Sequence, residues 1–265
     1  MKRILLLLAG FCLPALVCPA QVSVLGADAF GRGNSLVAVP GYSSIYQNPA
    51  GIAREPVGFL AFNYLRILPV EGFHTVGLQG VFVRKHFNYG FSMDSFGDRH
   101  YRETRAGVAM ARAQDRVALG MKLSYLGFSG GGTRSAVVGE AGMIVRVLPY
   151  LQLGTRIRYG NTYPEAGGAT VPAVLTFGAG LSPNAKVNLS GQVDYWSKRS
   201  AEIRLGLHYR PRDQLGFSAG AYPAGRSLHF GTDVVIGRYG LIYSIATHPY
   251  AGIAQHTTLI YKLHD

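Results

Sequence analysis

Cysteine is confined to the start of this chain, at Cys12 and Cys18, and carboxylates are scarce, with 14 Asp and Glu against 26 Lys and Arg. Tryptophan occurs once, and beyond the opening stretch no apolar run is long enough for a spanning helix. Each shortage excludes something. With its only thiols at the very start, the chain has no disulfide framework and must rely on a core or a closed hydrogen-bonded sheet. Without a long apolar run, it enters a membrane only as strands. The eight histidines are dispersed, with no His-x-x-His pair and no neighbouring cysteine, so neither a metal site nor a cofactor is expected. Gly130-Gly131-Gly132 lacks a following Lys and helix, which makes it a hairpin turn and not a phosphate loop.

The opening stretch reads as a secretory leader. Lys2 and Arg3 precede an apolar run that begins at Ile4–Leu8, and Cys18-Pro19-Ala20 supplies small residues for cleavage. Residues 1–20 are assigned to the leader, with Gln21 first in the mature chain. Lipidation at Cys18 is the competing reading, but Ala15-Leu16-Val17 lacks the Leu-and-small-residue pattern that precedes a modified cysteine. The formal charge is +12, or +10 once Lys2 and Arg3 leave with the leader. Nucleic acid is not expected as a partner of an exported chain, and the bases are scattered singly in the sequence. The expected partners are acidic head groups of outer-membrane lipid or lipopolysaccharide, or an anionic solute in a channel.

From Val57 onward the chain alternates. In Tyr150–Asn161, Leu151, Leu153, Thr155, Ile157 and Tyr159 share one face, and Gln152, Gly154, Arg156, Arg158 and Gly160 share the other. Ala201–Arg210 divides the same way. Turn residues such as Pro69, Gly97-Asp98, Pro149, Pro183-Asn184 and Pro211-Arg212-Asp213 separate fourteen such segments, from Val57–Arg66 to His256–Leu263. Their length, near the ~9–11 residues of a tilted membrane-crossing strand, and their even count point to a transmembrane antiparallel β-barrel. The polar face is rich in glycine and holds charges of both signs, as suits a crowded lumen. Aromatic residues near strand ends (Phe59, Phe82, Tyr101, Phe128, Tyr150, Tyr159, Tyr195, Tyr209 and Tyr239) are expected to form interfacial girdles. The two longest connections, Thr162–Thr170 and His248–Gln255, both fall on the side opposite the chain ends, the side expected to be extracellular.

Residues 21–56 break this pattern. Gly26, Gly31, Gly33, Pro40, Gly41, Pro49 and Gly51 interrupt any regular element, yet Val37, Val39, Ile45, Tyr46 and Ile52 are too apolar for a disordered tail. The segment is expected to fold inside the barrel as a plug. Within it, Asn48-Pro49-Ala50-Gly51 should form a packed turn, with the Asn48 amide on the backbone and Gly51 allowing close approach or a positive φ.

Two stretches carry a family resemblance. Gly26-Ala27-Asp28-Ala29-Phe30-Gly31-Arg32-Gly33-Asn34-Ser35 and Ser44-Ile45-Tyr46-Gln47-Asn48-Pro49-Ala50-Gly51-Ile52-Ala53 resemble the N-terminus of the PorV/PorQ family of outer-membrane proteins, which belongs with the FadL-like barrels. Tyr243–Tyr261 is similar as well. Asp28 stands where the family has a basic residue, and Ile52 where it has leucine. The resemblance implies an accessory of type IX secretion or surface-protein attachment in Bacteroidetes-type bacteria, with secretion-system proteins or secreted cargo as partners. The alternative it implies is a FadL-like passage for small apolar molecules.

No catalytic site is expected. Ser227, His229 and Asp233 share one face of one strand, but Asp233 lies too far along it to orient His229, and a lipid hydrolase must open toward the bilayer. Glu140, Arg146, Arg156, Arg158, Asp194, Glu202, Arg204 and Asp233 share the inward parity. They read as cross-strand salt bridges of the lumen, or as an anion-selective lining.

Overall fold

Alternation over long segments produces strands that leave no backbone group unpaired only if the sheet closes, and here it does. The computed structural model describes residues 25–67, 72, 74–130, 134–162, 172–197, 200–248 and 252–263. The leader with its cleavage site, Pro69, Gly131-Gly132, Val171, Pro249 and most of the expected Thr162–Thr170 connection lie outside these residues. The strands are β1 (Phe59–Arg66), β2 (His74–Phe82), β3 (Asn88–Gly97), β4 (Arg102–Gln114), β5 (Val117–Ser129), β6 (Arg134–Leu148) and β7 (Leu151–Thr162). They continue with β8 (Val174–Asn184), β9 (Val187–Trp196), β10 (Glu202–Arg212), β11 (Leu215–Tyr222), β12 (Ser227–Ile236), β13 (Tyr239–His248) and β14 (Gly252–Lys262). Each pairs antiparallel with its neighbours in sequence, and β1 pairs with β14 from Phe59↔Lys262 to Arg66↔Gln255. The fold is the closed fourteen-stranded barrel that the alternation implies. No helix among the described residues is long and apolar enough to cross a membrane.

The two faces separate by parity. On β7, Gly154, Arg156, Arg158 and Gly160 are buried inward, while Leu153, Ile157 and Tyr159 are exposed outward. The outer surface carries the large apolar side chains, such as Val108, Leu119, Leu123, Leu205 and Leu259. An arginine placed on such a face near mid-membrane costs about 2–4 kcal/mol. Ile157→Arg should therefore lower the urea midpoint of the folded barrel in lipid, whereas Ile157→Leu should leave it unchanged.

Several expectations fail locally, each for a physical reason. Pro183 and Pro211 do not end their strands. β8 runs on to Asn184 and β10 to Arg212, because a register shift lies between Leu181 and Asn184 and another between Tyr209 and Arg212. A bulge leaves one residue out of the ladder, and proline, having no N–H to offer, is tolerated there. His248–Gln255 is not a long connection. β14 begins at Gly252 and pairs Thr247↔Ile253 and Ala246↔Ala254. Its alternation was disguised by the small residues Gly252 and Ala254. Phe59 and Phe128 face inward and join no girdle. Phe59 is 1% exposed and meets Tyr42 edge-on, and Phe128 packs with Leu126. Phe82, Tyr101, Tyr150, Tyr159, Tyr195, Tyr209 and Tyr239 are exposed.

The two rims differ. On the near rim, where β1 starts and β14 ends, five connections consist of two residues each (115–116, 149–150, 185–186, 213–214 and 237–238), and the sixth spans 83–87. Asp115 and Gly237 supply the positive φ such turns require. The far-rim connections are all longer than two residues, and the longest is 163–173.

Candidate functional site

Residues 25–56 contain no strand. They form α1 (Ala27–Phe30), α2 (Ser44–Gln47) and a 3-10 helix, Pro49–Arg54, joined by turns. Their first arm follows the inner wall from β14 back to β7. Ala27 N–H donates to Thr258 Oγ1 at 2.9 Å, Gly26 N–H to His256 Nε2 at 3.3 Å, and Ser244 Oγ to the Ala27 carbonyl at 2.7 Å. The Phe30 ring meets His229 edge-on at 5.1 Å. Arg32 and Gly33 lie against Gly220 of β11, Ser35 against Gly206 of β10 and Val37 against Gly178 of β8. Ser35 Oγ pairs with Ser190 Oγ at 2.7 Å, and Val37 N–H donates to Gln192 Oε1 at 3.1 Å.

The second arm covers the remaining strands. Lys122 of β5 donates to the Ile45 carbonyl at 3.0 Å and Arg156 of β7 to the Tyr46 carbonyl at 2.9 Å. These are among the last carbonyls of α2, which have no partner within the helix and are best satisfied by cations. Asn88 of β3 donates to the Ile52 carbonyl at 2.8 Å. Arg105 of β4 lies over the Tyr46 ring, Tyr42 meets Phe59 of β1 edge-on, and Leu25 rests on Gly77 of β2. With Asn48 against β6, the segment touches all fourteen strands.

Asn48 joins the arms. Its Nδ2 donates to the Val37 carbonyl at 2.6 Å and approaches the Thr155 and Met143 carbonyls at 3.3 and 3.4 Å, while its Oδ1 accepts from Ala50 N–H at 3.1 Å. Pro49 opens the 3-10 helix, where a missing N–H costs nothing. Gly51 is needed for close approach, since a Cβ there would meet Ser44 Oγ at 2.5 Å, and its φ is not positive. The two motif stretches also bind each other, Gln47 Nε2 donating to Asn34 Oδ1 at 3.3 Å, and just before the second, Ser43 N–H donates to Asp28 Oδ2 at 3.2 Å.

The inner wall divides into two sectors. Ala61, Leu65, Val81, Ile242 and Ile260 form an apolar sector with Leu25, Ile45 and Ile52 of the segment. The charged sector runs from β3 to β12. Arg204 pairs with Asp194 at 2.9 Å and Glu202 at 3.2 Å, and Arg156 lies 3.8 Å from Glu140. Arg158 is buried over the Trp196 ring at 5.8 Å. Arg146 has the inward parity but stands exposed at the near rim, beside the register shift that precedes the β6–β7 turn. Asp233 serves His208 at 2.7 Å and Arg210 at 3.2 Å. It makes no bond to His229, which instead pairs with Ser227 at 3.1 Å while the Ser227 hydroxyl donates to the Thr247 carbonyl at 2.6 Å. A serine whose proton is held by a backbone carbonyl and whose histidine lacks a carboxylate is not assembled as a nucleophile.

Sequence reasoning missed Asp94–Arg105, joined at 2.8 Å, and the buried Lys122. The first pair was within reach, because the two residues are directly opposed across β3 and β4. Together with Thr75, Phe96, Leu126 and Phe128 it lines a pocket toward the far rim. Among the described residues no cluster of His, Cys, Asp and Glu could hold a metal ion.

Seating of the segment carries a pH dependence. Burial, reinforced by Asp28, pushes the Glu55 carboxyl up to about 8. The seated state thus favours protonated Glu55. Its support is complete below the ordinary value of 4.5 and is lost as pH rises through about 8. Protease cleavage of the segment in the folded barrel should accelerate across that window, and Glu55→Gln should flatten the profile.

No protein-family model matches the chain, and neither does any curated protein. Among solved structures, the Pseudomonas putida toluene transporter TodX is similar over 90% of this chain and 96% of its own, with a TM-score of 0.67 and 10% identity. A TodX variant described as a monoaromatic hydrocarbon channel, deltaS2, is similar over 92% of this chain and 100% of its own, with a TM-score of 0.65 and 11% identity. At such identities the likeness is one of fold, that of an outer-membrane β-barrel.

Proposed function

We propose that the chain is a non-enzymatic, integral outer-membrane barrel that passes small apolar molecules, with residues 25–56 as its plug. The observation that carries this reading is a segment seated against all fourteen strands of a barrel with the TodX fold, packed on an apolar sector along one side of the lumen. Apolar solutes cross lipopolysaccharide slowly, and a lined barrel offers them a route. The apolar sector would guide the solute, and the plug would shift to admit it. Lumen ion pairs would hold the opposite wall rigid.

The PorV/PorQ resemblance and its secretion role gain no support from the similar structures. The motif residues that carry it are mostly buried against the inner wall, which suits packing better than gripping cargo. Expression in a bacterium with low outer-membrane permeability tests the proposal. Uptake of labelled toluene should rise several-fold, with uptake of a small sugar unchanged. Outer-membrane recovery without any gain in toluene uptake would refute passage. Release of a secreted surface protein on gene deletion would restore the secretion reading.

A further inference from the structure

Bases that are scattered singly in the sequence converge in the fold. Five of the six near-rim connections carry one at or beside the turn, Arg84, Arg116, Lys186, Arg212 and Arg238, and Arg146 stands on β6 two residues short of the sixth. All six are exposed, and none makes an ion pair among the described residues. Lys85 and Arg112 add to the ring, and Arg112 points outward from β4 with its guanidinium over Phe87 at 5.6 Å. Among the described residues, Asp115 and Asp213 are the exposed carboxylates of this rim. The far rim mixes signs, with Asp98 and Glu103 beside Arg99 and Arg102.

Such a ring repels itself unless something neutralises it. The exposed rings of Phe82, Tyr89, Tyr150, Tyr209, Tyr239 and Tyr261 lie just inside the same rim, at the depth where aromatic side chains meet lipid head groups. The bases therefore stand at phosphate level all the way round. We propose that the near rim is a docking ring for anionic phospholipid of the leaflet that faces the chain ends, each exposed base meeting a lipid phosphate. A Lys or Arg close to an anionic surface contributes about 1 kcal/mol, and the attraction fades within a Debye length. Geometry favours lipid over an acidic protein, because the bases encircle the barrel and do not form one flank. The inference rests on the outer-membrane reading.

The test uses the full-length barrel purified in detergent and offered phosphatidylglycerol, phosphatidylcholine or lipopolysaccharide, with retained lipid counted by native mass spectrometry. Phosphatidylglycerol should be retained over phosphatidylcholine. Replacing Arg84, Lys85, Arg116, Lys186 and Arg238 by Gln should cut that preference roughly tenfold or more. The far-rim replacement of Arg66, Arg99 and Arg102 by Gln should not. Equal retention of the two phospholipids, or equal loss in both variants, would overturn the proposal. A near-rim variant that loses only lipopolysaccharide would place the ring in the other leaflet and overturn it too. An unchanged preference in that variant would do the same and direct the ring to an acidic protein. Failure of the wild-type chain to insert into bilayers would instead overturn the outer-membrane reading itself.

Discussion

A chain lacking residues 22–55 should still close its barrel and should conduct small ions several-fold better than the full-length protein in planar bilayers. The wall's hydrogen bonds run from strand to strand without a break, so its backbone is satisfied with the segment gone. What is lost is filling. Wall groups such as Lys122, Arg156, Asn88 and Ser244, which now serve segment carbonyls, would turn to water, and the lumen would wet. The truncated barrel should be less stable for the same reason. Unchanged conductance would mean that the segment leaves the lumen in the membrane, contrary to its seating here.

Gly142→Ala should unseat the segment at the cost of a single methyl. A Cβ on Gly142 would stand 1.8 Å from Asn48 Oδ1 and 3.3 Å from Pro49, inside the turn that joins the two arms. Asn48 is 1% exposed and has nowhere to move without giving up its bonds to Val37 and Ala50. Forcing an extra carbon into a packed interior costs about 1–3 kcal/mol, and each neutral hydrogen bond lost adds roughly 0.5–1.5 kcal/mol. Protease accessibility of the segment and single-channel conductance should both rise. Gly139→Ala is the matched control on the same strand. A Cβ there meets nothing within 4 Å, and the variant should behave as wild type.

The barrel was legible because its signal is local and repeated. Ile157 beside Arg158, or Leu205 beside Arg204, each announce two faces within a few residues. The glycines of the polar face were legible as a sign of crowding, and Gly120, Gly154 and Gly220 are indeed where the segment's backbone comes closest. Matters settled between strands were harder to read. Pro183 and Pro211 look like full stops until the opposing strand shows that one residue is bulged out. Phe59 has the composition of a girdle residue, and only its parity with Ala61 turns it inward onto Tyr42. Bases far apart in sequence, such as Arg84 and Arg238, meet on one rim only because the strands between them return the chain to it.

Closure of the wall around residues 25–56 also constrains the order of assembly. Ala27 hydrogen-bonds Thr258 across 231 positions of sequence, and β1 finds its second edge only when β14 arrives. The residues synthesised earliest therefore wait longest for their partners, and contacts so distant in sequence make folding slow and exposed to misassembly. A chain ending before Gly252 would have every other strand and yet keep two raw edges with an unenclosed core. Such a product should be degraded in the cell, so a late stop codon should be as damaging as an early one.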